Sequence, residues 1–279
     1  MKNYLPNLII IGAPKCGTSS MHFYLGLHPQ IYMSQPKELN FFQLEKNWDK
    51  GESWYRSHFI KAVKVRGESS PMYSNCIEYP DVPERMHAMI PDARLIYILR
   101  DPVKRIISHH VHATAVGLSS GSIEECLELP DNNYIQYSKY FMQLNAYLKY
   151  YPLSQICILT SEELYYSRYK TVQKVFRFLG VDSNFYSNQF TTLKNTYADI
   201  SPKSPFARYL DKITNHDIRF IIPETIRSSI RRVIFSKFKD RVSKPILDNK
   251  LKMRLINCLK DDTDQLRGLT NRKFERWCI

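Results

Sequence analysis

A strand, a tight loop and a helix follow one another between Leu8 and Leu25, and this succession constrains the fold more than any other part of the chain. The stretch reads LIIIGAPKCGTSSMHFYL, which is a short apolar run, a turn with two glycines and a segment with helical apolar spacing. In such a unit the free N–H groups of the loop and the positive end of the helix dipole face one place, which suits an anion. Gly12 and Gly17 let the backbone approach a ligand closely.

The loop carries one cation and several hydroxyl groups. Lys15 adds a mobile positive charge, and Thr18, Ser19 and Ser20 add hydrogen-bond donors. The loop is not a Walker A sequence, because G-x-x-x-x-G-K-[ST] has its lysine after the second glycine, whereas Lys15 precedes Gly17. The residues predict an anion site without a dedicated Mg²⁺ pattern. An ordinary strand–helix turn with a chance lysine is the alternative interpretation.

A second signal is the continuous apolar run from Leu95 to Leu99, which is typical of a buried parallel strand. Arg100 follows this run directly, and a helical segment carrying Ser108 comes next. Because ligands bind at the carboxyl ends of strands in open α/β sheets, we expect Arg100 on the same edge as Lys15. A guanidinium recognises phosphate through two parallel hydrogen bonds. A salt bridge between Arg100 and Asp101 or another carboxylate is the alternative.

Glu38 belongs to a segment that reads KELNFF and so precedes two aromatic residues. A carboxylate beside an apolar wall can serve as a general base. From the residues alone, a solvated loop carboxylate is the better interpretation.

Three histidines in the next helical segment resemble a metal-binding cluster. Adjacent residues point to different sides of a helix, however, and only His112 shares a face with Ser108. His109, His110 and His112 are therefore predicted on the helix surface, with one of them a candidate for lining an acceptor cleft. The six cysteines show no C-x-x-C or zinc spacing, so no metal is predicted and free thiols in a reducing compartment are expected. A catalytic thiol at Cys16 is disfavoured, because no base is recognisable beside it.

The formal net charge is +13, which favours an anionic ligand, a polyanionic acceptor or an acidic membrane surface. Residues from Lys203 to Arg254 are strongly basic and predict either a groove for a polyanion or a solvated face. No nucleic acid partner is expected. The N-terminal apolar run is too short for a signal peptide, and no stretch reaches membrane-spanning length. We therefore expect a soluble cytoplasmic protein without a transmembrane segment, for which peripheral membrane contact stays open.

Strands and helices alternate from residue 8 to about 180, which predicts an α/β fold with a parallel sheet covered on both faces. The expected organisation is one domain, 1–279, with an α/β core (1–200) and a helical, basic C-terminal part (201–279). Strands are predicted at Leu8 to Ile11, Ile31 to Met33, Ala62 to Gly67, Leu95 to Leu99 and Gln155 to Thr160, with a polar turn from Glu68 to Pro71. Helices are predicted at Tyr79 to Ile90, Val103 to His112, Ser122 to Leu129, Tyr134 to Tyr151, Thr171 to Leu179 and Asn249 to Leu269, with Trp277 docking the tail.

Several of these pieces together resemble one family. The run from Ala13 to Ser19 is similar to the 5′-phosphosulfate loop of sulfotransferases that use 3′-phosphoadenosine 5′-phosphosulfate (PAPS). The run from Arg94 to Ser108 resembles the family's 3′-phosphate element, in which an arginine and a serine eight residues later hold that phosphate. The KELNFF segment matches the one that carries the catalytic glutamate of heparan sulfate and related carbohydrate sulfotransferases. Further likenesses are Glu68 to Tyr73, Val82 to Arg85, Pro202 to Ser204 and the tail from Asn249 to Trp277.

The resemblance implies a P-loop-like fold and in-line transfer of a sulfuryl group from PAPS to a hydroxyl or amine, with a carbohydrate as the first-choice acceptor. It assigns the catalytic roles to Glu38, as base, and to Lys15, at the bridging oxygen of the leaving 3′-phosphoadenosine 5′-phosphate (PAP). No metal is implied, because a sulfuryl group carries less charge than a phosphoryl group. The residues implied in donor binding are Lys15, Cys16, Gly17, Thr18, Ser19, Arg100, Ser108, Lys203 and Ser204.

Two departures and two rival functions accompany the resemblance. Some heparan sulfate enzymes carry a lysine where this chain has Ser69, and the chain starts at the first strand, so we expect no Golgi-type anchor. A nucleotide-dependent kinase and a non-catalytic polyanion-binding protein are the alternatives. Lipid-linked sugars, polyketides and other small alcohols stay open as acceptors.

Overall fold

Five parallel strands form the central sheet, in the order β2-β3-β1-β4-β5. The computed structural model describes residues 4–128, 132–192 and 244–279. Within these ranges the strands are β1 (Leu8–Gly12), β2 (Ile31–Met33), β3 (Val65–Ser69), β4 (Arg94–Leu99) and β5 (Ile156–Thr160). The helices are α1 (Thr18–Gly26), α2 (Gly51–Arg56), α3 (Val82–Met89), α4 (Pro102–Val116), α5 (Ile123–Glu128), α6 (Asn133–Gln136), α7 (Tyr140–Leu148), α8 (Ser161–Tyr166), α9 (Arg168–Leu179) and α10 (Asn249–Thr270).

The sheet is buried on both faces, as the apolar runs in the sequence predict. Every residue of β1 and β5 is buried, and in β4 only Arg94 is exposed. Ile9 of β1 pairs with Glu68 of β3, while Ile10 pairs with Ile96 of β4. The carboxyl ends of β3, β1 and β4 therefore lie side by side, and the three segments that follow them meet at one edge.

The long helix predicted from Tyr134 to Tyr151 is wrong, since the structure has two helices there, α6 and α7. The break is stabilised by Asp262 of α10, whose carboxylate accepts hydrogen bonds from the N–H groups of Phe141 and Met142, each at 2.9 Å. These donors lack partners at the start of a helix, so the carboxylate allows α7 to begin anew.

The other helices and strands follow the prediction more closely. The third strand begins at Val65 rather than Ala62 and continues through Glu68 and Ser69, which were expected in a turn and are buried. A capping box begins α5, because Ser122 Oγ accepts from the Glu125 N–H at 3.2 Å and the Glu125 side chain accepts from the Ser122 N–H at 2.9 Å.

The C-terminal part is described only from residue 244 onward, where α10 confirms the last predicted helix almost to the residue. Most of the basic stretch from Lys203 to Arg254 lies outside the described residues. Over the described ranges, no helix combines the length and the apolar character needed to cross a bilayer.

Candidate active site

The loop between β1 and α1 is fixed by its backbone. Gly12 is required where the loop leaves β1, because a Cβ atom there would lie 2.3 Å from the Oγ atom of Ser74. Gly17 caps α1 with φ of 96°, a left-handed conformation that glycine adopts without strain. The N–H of Ala13 donates to the carbonyl oxygen of Ile98 on β4 at 2.8 Å. The loop is thus held against the neighbouring strand before any ligand binds.

One cleft, with a volume of about 980 Å³, brings the candidate residues together at this edge of the sheet. All predicted site residues that the structure describes line it: Lys15, Cys16, Gly17, Thr18, Ser19, Glu38, Arg100 and Ser108. The other two, Lys203 and Ser204, lie outside the described residues.

Arg100 and Lys15 share one edge, as predicted from the strand ends. A guanidinium nitrogen of Arg100 donates to the carbonyl oxygen of Lys15 at 3.3 Å. The alternative salt bridge with Asp101 is not formed, because that carboxylate accepts from the Lys104 N–H at 3.0 Å and caps α4. Within the described ranges Arg100 makes no ion pair with a carboxylate. Its guanidinium therefore remains available to an anion in the cleft.

The ammonium group of Lys15 lies among other cations. Burial and the nearby guanidinium groups of Arg105 and Arg100 lower the pKa of Lys15 to about 8, and Glu38 acts in the opposite direction. A bound anion favours the charged form of the amine and raises its pKa again. The amine is therefore poised to gain a proton when an anion binds.

Arg105 lies beneath the loop, and sequence reasoning did not single it out. Its side chain is fully buried, and its guanidinium donates to the carbonyl oxygens of Pro14 (3.4 Å) and Tyr134 (2.9 Å). It also contacts the Ser138 hydroxyl (3.2 Å) and the His109 Nδ1 atom (3.0 Å). These partners are neutral, and no carboxylate of the described ranges pairs with it. A buried charge without a counter-ion is costly, so an anion in the cleft would stabilise it.

Glu38 reaches the cleft from the segment after β2. Its side chain is 47% exposed, and its Oε1 atom lies 2.6 Å from the Nζ atom of Lys37. The carboxylate is close enough to Lys15 for their charges to interact. A hydroxyl group that enters from solvent can therefore meet this carboxylate beside the loop.

The three histidines of α4 differ in burial and in whether they line the cleft. His110 is 7% exposed, so the prediction of a surface position is wrong for it, whereas His109 and His112 line the cleft. Burial and the Arg105 charge lower the pKa of His109 to about 2, and burial and the Lys15 charge lower the pKa of His112. Both rings are therefore neutral near pH 7. Within the described ranges, no group of histidine, cysteine and carboxylate side chains could hold a metal ion.

The thiol of Cys16 is enclosed and unreactive, and the backbone of this residue helps to form the turn of the loop. Its side chain is fully buried, and burial raises the pKa of the thiol to about 11. The sulfur atom lies 3.7 Å from the hydroxyl of Tyr140, and the Cys16 N–H closes a turn to the Ala13 carbonyl at 3.3 Å. A protonated, enclosed thiol is a poor nucleophile.

The C-terminal tail forms part of the cleft wall, which no local pattern predicted. Glu275 and Arg276 line the cleft, and the Arg276 guanidinium lies 4.2 Å from the centre of the Tyr166 ring. The indole N–H of Trp277 donates to the Glu162 carboxylate at 3.4 Å, and the indole is 8% exposed. The predicted docking of the tail by Trp277 is thereby confirmed.

The sequence and the fold were also compared with those of known proteins. The sulfotransferase domain family model matches residues 5–249. The structure is similar to a sulfotransferase from Alicyclobacillus acidocaldarius, with a TM-score of 0.71, 23% identity and coverage of 98% of this chain and 99% of that one. It is also similar to a mouse sulfotransferase complexed with PAP, with a TM-score of 0.52, 15% identity and coverage of 94% and 85%. These likenesses show the fold.

Relatives by sequence act on heparan sulfate according to their names. The human heparan sulfate glucosamine 3-O-sulfotransferase 6 is 30% identical over 215 residues, which are 71% of this chain and 61% of that protein. The human bifunctional heparan sulfate N-deacetylase/N-sulfotransferase 2 is 30% identical over 198 residues, or 63% of this chain and 22% of that protein. The chain thus spans about a fifth of the bifunctional relative.

Proposed function

The chain belongs to the sulfotransferase domain family, and from this membership we propose that it transfers a sulfuryl group from PAPS to a hydroxyl or amine of a carbohydrate. The observation that carries the proposal is the joint position of Lys15, Glu38, Arg100 and Ser108 in one cleft. A donor with phosphate groups at both ends of its nucleoside needs two positively charged binding sites. Lys15 on the loop after β1 and Arg100 just before α4 supply these charges side by side.

The reaction is an in-line displacement at sulfur. The acceptor oxygen or nitrogen forms a bond to sulfur while the bond from sulfur to the bridging oxygen of PAPS breaks, and PAP leaves. Glu38 takes the proton from the acceptor, and Lys15 offsets the negative charge that grows on the bridging oxygen. The N–H groups of Gly17, Thr18 and Ser19 hold the 5′-phosphate. Positioning and electrostatics dominate, as in phosphoryl transfer.

The 3′-phosphate is held by Arg100 and Ser108. The guanidinium of Arg100 has no competing carboxylate within the described ranges, and its contact with the Lys15 carbonyl ties the two phosphate-binding places together. Arg105 adds a buried positive charge below the loop, which favours the donor over neutral nucleosides. The resemblance also implies a role for Lys203 and Ser204 in holding the 3′-phosphate, and both lie outside the described residues.

The acceptor is a carbohydrate, in keeping with the heparan sulfate enzymes among the relatives. A carbohydrate other than heparan sulfate is favoured, because some heparan sulfate enzymes carry a lysine where this chain has Ser69, and a second positive charge at the sulfate is missing from that position. This serine is buried, and its hydroxyl lies 2.8 Å from the Nδ1 atom of His22. No cation is offered to an acceptor from that position.

Transfer of labelled sulfate from PAPS to a panel of glycans and small alcohols tests the proposal. We expect a labelled glycan and one PAP released per transfer, and thermal stabilisation by PAP without metal. Stabilisation by Mg-ATP but not by PAP would instead indicate a kinase. Salt-sensitive heparin binding without any transfer would indicate a polyanion-binding protein.

Donor affinity is expected to depend on pH through Lys15. Its pKa is about 8 in the free protein and higher with PAP bound, so binding takes up a proton above pH 8. The affinity is therefore fully present below pH 8 and falls by up to about tenfold per pH unit above it. Calorimetric titration with PAP from pH 7 to 9.5 measures this.

Lys15→Arg is the matched control for the pH series, because a guanidinium stays charged throughout. We expect its affinity to be flat over the same range. A wild-type affinity that is equally flat would show that the Lys15 amine does not titrate against the donor.

A further inference from the structure

Glu68, at the carboxyl end of β3, is a fully buried carboxylate surrounded by hydrogen-bond donors. Its Oε1 atom accepts from the hydroxyls of Tyr55 (2.7 Å) and Tyr73 (3.0 Å). Its Oε2 atom accepts from the Ser70 hydroxyl (2.6 Å) and the Leu39 N–H (3.3 Å). Four donors on two oxygens match an ionised carboxylate, which accepts but does not donate. None of these groups takes part in the transfer chemistry described above.

Two of the three hydroxyls that bind Glu68, those of Ser70 and Tyr73, also hold the backbone of residues 37–42, here called the Glu38 segment. The Oγ atom of Ser70 accepts from the Asn40 N–H at 3.0 Å. The phenol oxygen of Tyr73 accepts from the Phe42 N–H at 3.3 Å. Each hydroxyl therefore donates to the carboxylate and accepts from the segment, so the carboxylate fixes the direction of both hydrogen bonds.

The two residues that flank Glu38 are anchored as well. The carbonyl oxygen of Lys37 accepts from the Ser69 N–H at 3.2 Å, and the N–H of Leu39 donates to Glu68 itself. The backbone is thus tied to the end of β3 on both sides of the base. Beyond these ties, the Glu38 side chain has a single ion-pair partner of its own within the described ranges, the adjacent Lys37.

The segment also needs such anchors because of its own conformation. Asn40 has φ of 48°, a left-handed conformation that is uncommon for a residue with a Cβ atom. A hydrogen bond to Ser70 holds that residue in place. Ser70 and Tyr73, which follow β3, therefore hold two N–H groups of the segment, while Asn47 and Arg85 bind its Leu39 and Phe42 carbonyl oxygens.

We propose that Glu68 is a positioning residue for Glu38: it orients the hydroxyls of Ser70 and Tyr73, and together they fix the Glu38 segment at the distance from the donor loop that proton transfer requires. This inference rests on the proposed function. Displacement of a reacting group by about 1 Å costs on the order of 10²-fold in rate, so loss of the anchors acts on kcat. The donor site, built on other elements, keeps its affinity.

A pair of matched tyrosine variants tests the proposal. Tyr73→Phe and Tyr55→Phe each remove one hydroxyl from Glu68 Oε1, and both rings are fully buried and stay in place. Of these two phenol oxygens, only that of Tyr73 also accepts from the Glu38 segment within the described ranges. We expect Tyr73→Phe to lower kcat by about tenfold or more, and Tyr55→Phe to lower it less than threefold. The KM for PAPS and the Kd of PAP are expected to change less than twofold in both.

Ser70→Ala is a second test at an independent anchor. It removes the acceptor of the Asn40 N–H, and we expect a loss of kcat similar to that of Tyr73→Phe. Glu68→Gln is less suitable, because the NH₂ group of the glutamine would face hydroxyl or N–H donors that now bind the carboxylate, and this would disturb the whole cluster.

Amide hydrogen exchange gives a readout that does not need catalysis. We expect faster exchange at Asn40 in Ser70→Ala and at Phe42 in Tyr73→Phe, and neither change in Tyr55→Phe. Equal losses of kcat in the two tyrosine variants, or an unchanged kcat in Tyr73→Phe, would overturn the positioning role. If the wild-type protein transfers no sulfuryl group to any acceptor, the proposed function fails, whereas unchanged exchange at Asn40 and Phe42 counts against the anchors alone.

Discussion

Glu38→Gln is expected to lower kcat by about 10²–10⁴-fold while PAP affinity is retained, because glutamine keeps the shape of the side chain but cannot take a proton. The proposed donor contacts lie on the loop after β1, at Arg100 and on α4, so the substitution is expected to leave them in place. Steady-state rates with saturating PAPS, together with calorimetric titration of PAP, measure the two effects separately.

The control for this variant is Glu45→Gln, the same chemical change at an exposed carboxylate a few residues along the chain. Glu45 does not line the cleft, and its replacement is expected to leave turnover within twofold. Unchanged turnover in Glu38→Gln would rule out this carboxylate as the base, and another group lining the cleft, such as His112, would have to take the proton.

Lys15→Ala is expected to weaken PAP binding by about tenfold and to lower kcat/KM by about 10²–10³-fold. In the proposed mechanism the ammonium contacts the donor phosphate in the ground state and the bridging oxygen as its charge grows, so both binding and turnover are expected to depend on it. Affinity and rate measured at pH 7, where the amine is mostly charged, give the full effect.

Two further variants decide how the Lys15 result is interpreted. Lys15→Arg keeps the charge and should restore PAP affinity more than turnover, because a planar guanidinium does not reach the bridging oxygen in the same way. Lys46→Ala, at an exposed lysine outside the cleft, should behave as wild type. Equal activity in Lys15→Ala and wild type would remove this lysine from the mechanism.

The position of the two cations, Lys15 and Arg100, was predictable from the sequence because the signals for it are local. A buried strand followed by a loop with Lys15, and a second apolar run followed by Arg100, place both cations at one sheet edge by topology alone. The structure confirms that they share this edge, with the Arg100 guanidinium 3.3 Å from the Lys15 carbonyl.

The parts that sequence reasoning missed depend on partners far along the chain. Glu68 was expected in a polar turn, because four polar or turn-forming residues in a row are typical of one. It is buried because the fold brings the hydroxyls of Tyr55 and Tyr73 and the N–H of Leu39 to it. Arg276 enters the cleft from the tail for the same kind of reason, and no spacing in the sequence links it to Lys15.

The lowered pKa of Lys15 also has a practical consequence for labelling. At pH 8 about half of these side chains carry a neutral amine, which reacts with electrophiles that an ordinary lysine ammonium resists. An amine-selective reagent that is itself anionic, such as an aldehyde bearing a phosphate group, should bind in the cleft and form an imine with Lys15 first, with loss of water, and borohydride reduction then makes the modification stable. Mass spectrometry of the modified peptide, with and without PAP as a protecting ligand, would measure the modified fraction of Lys15, and this fraction would report how much of the donor site is occupied.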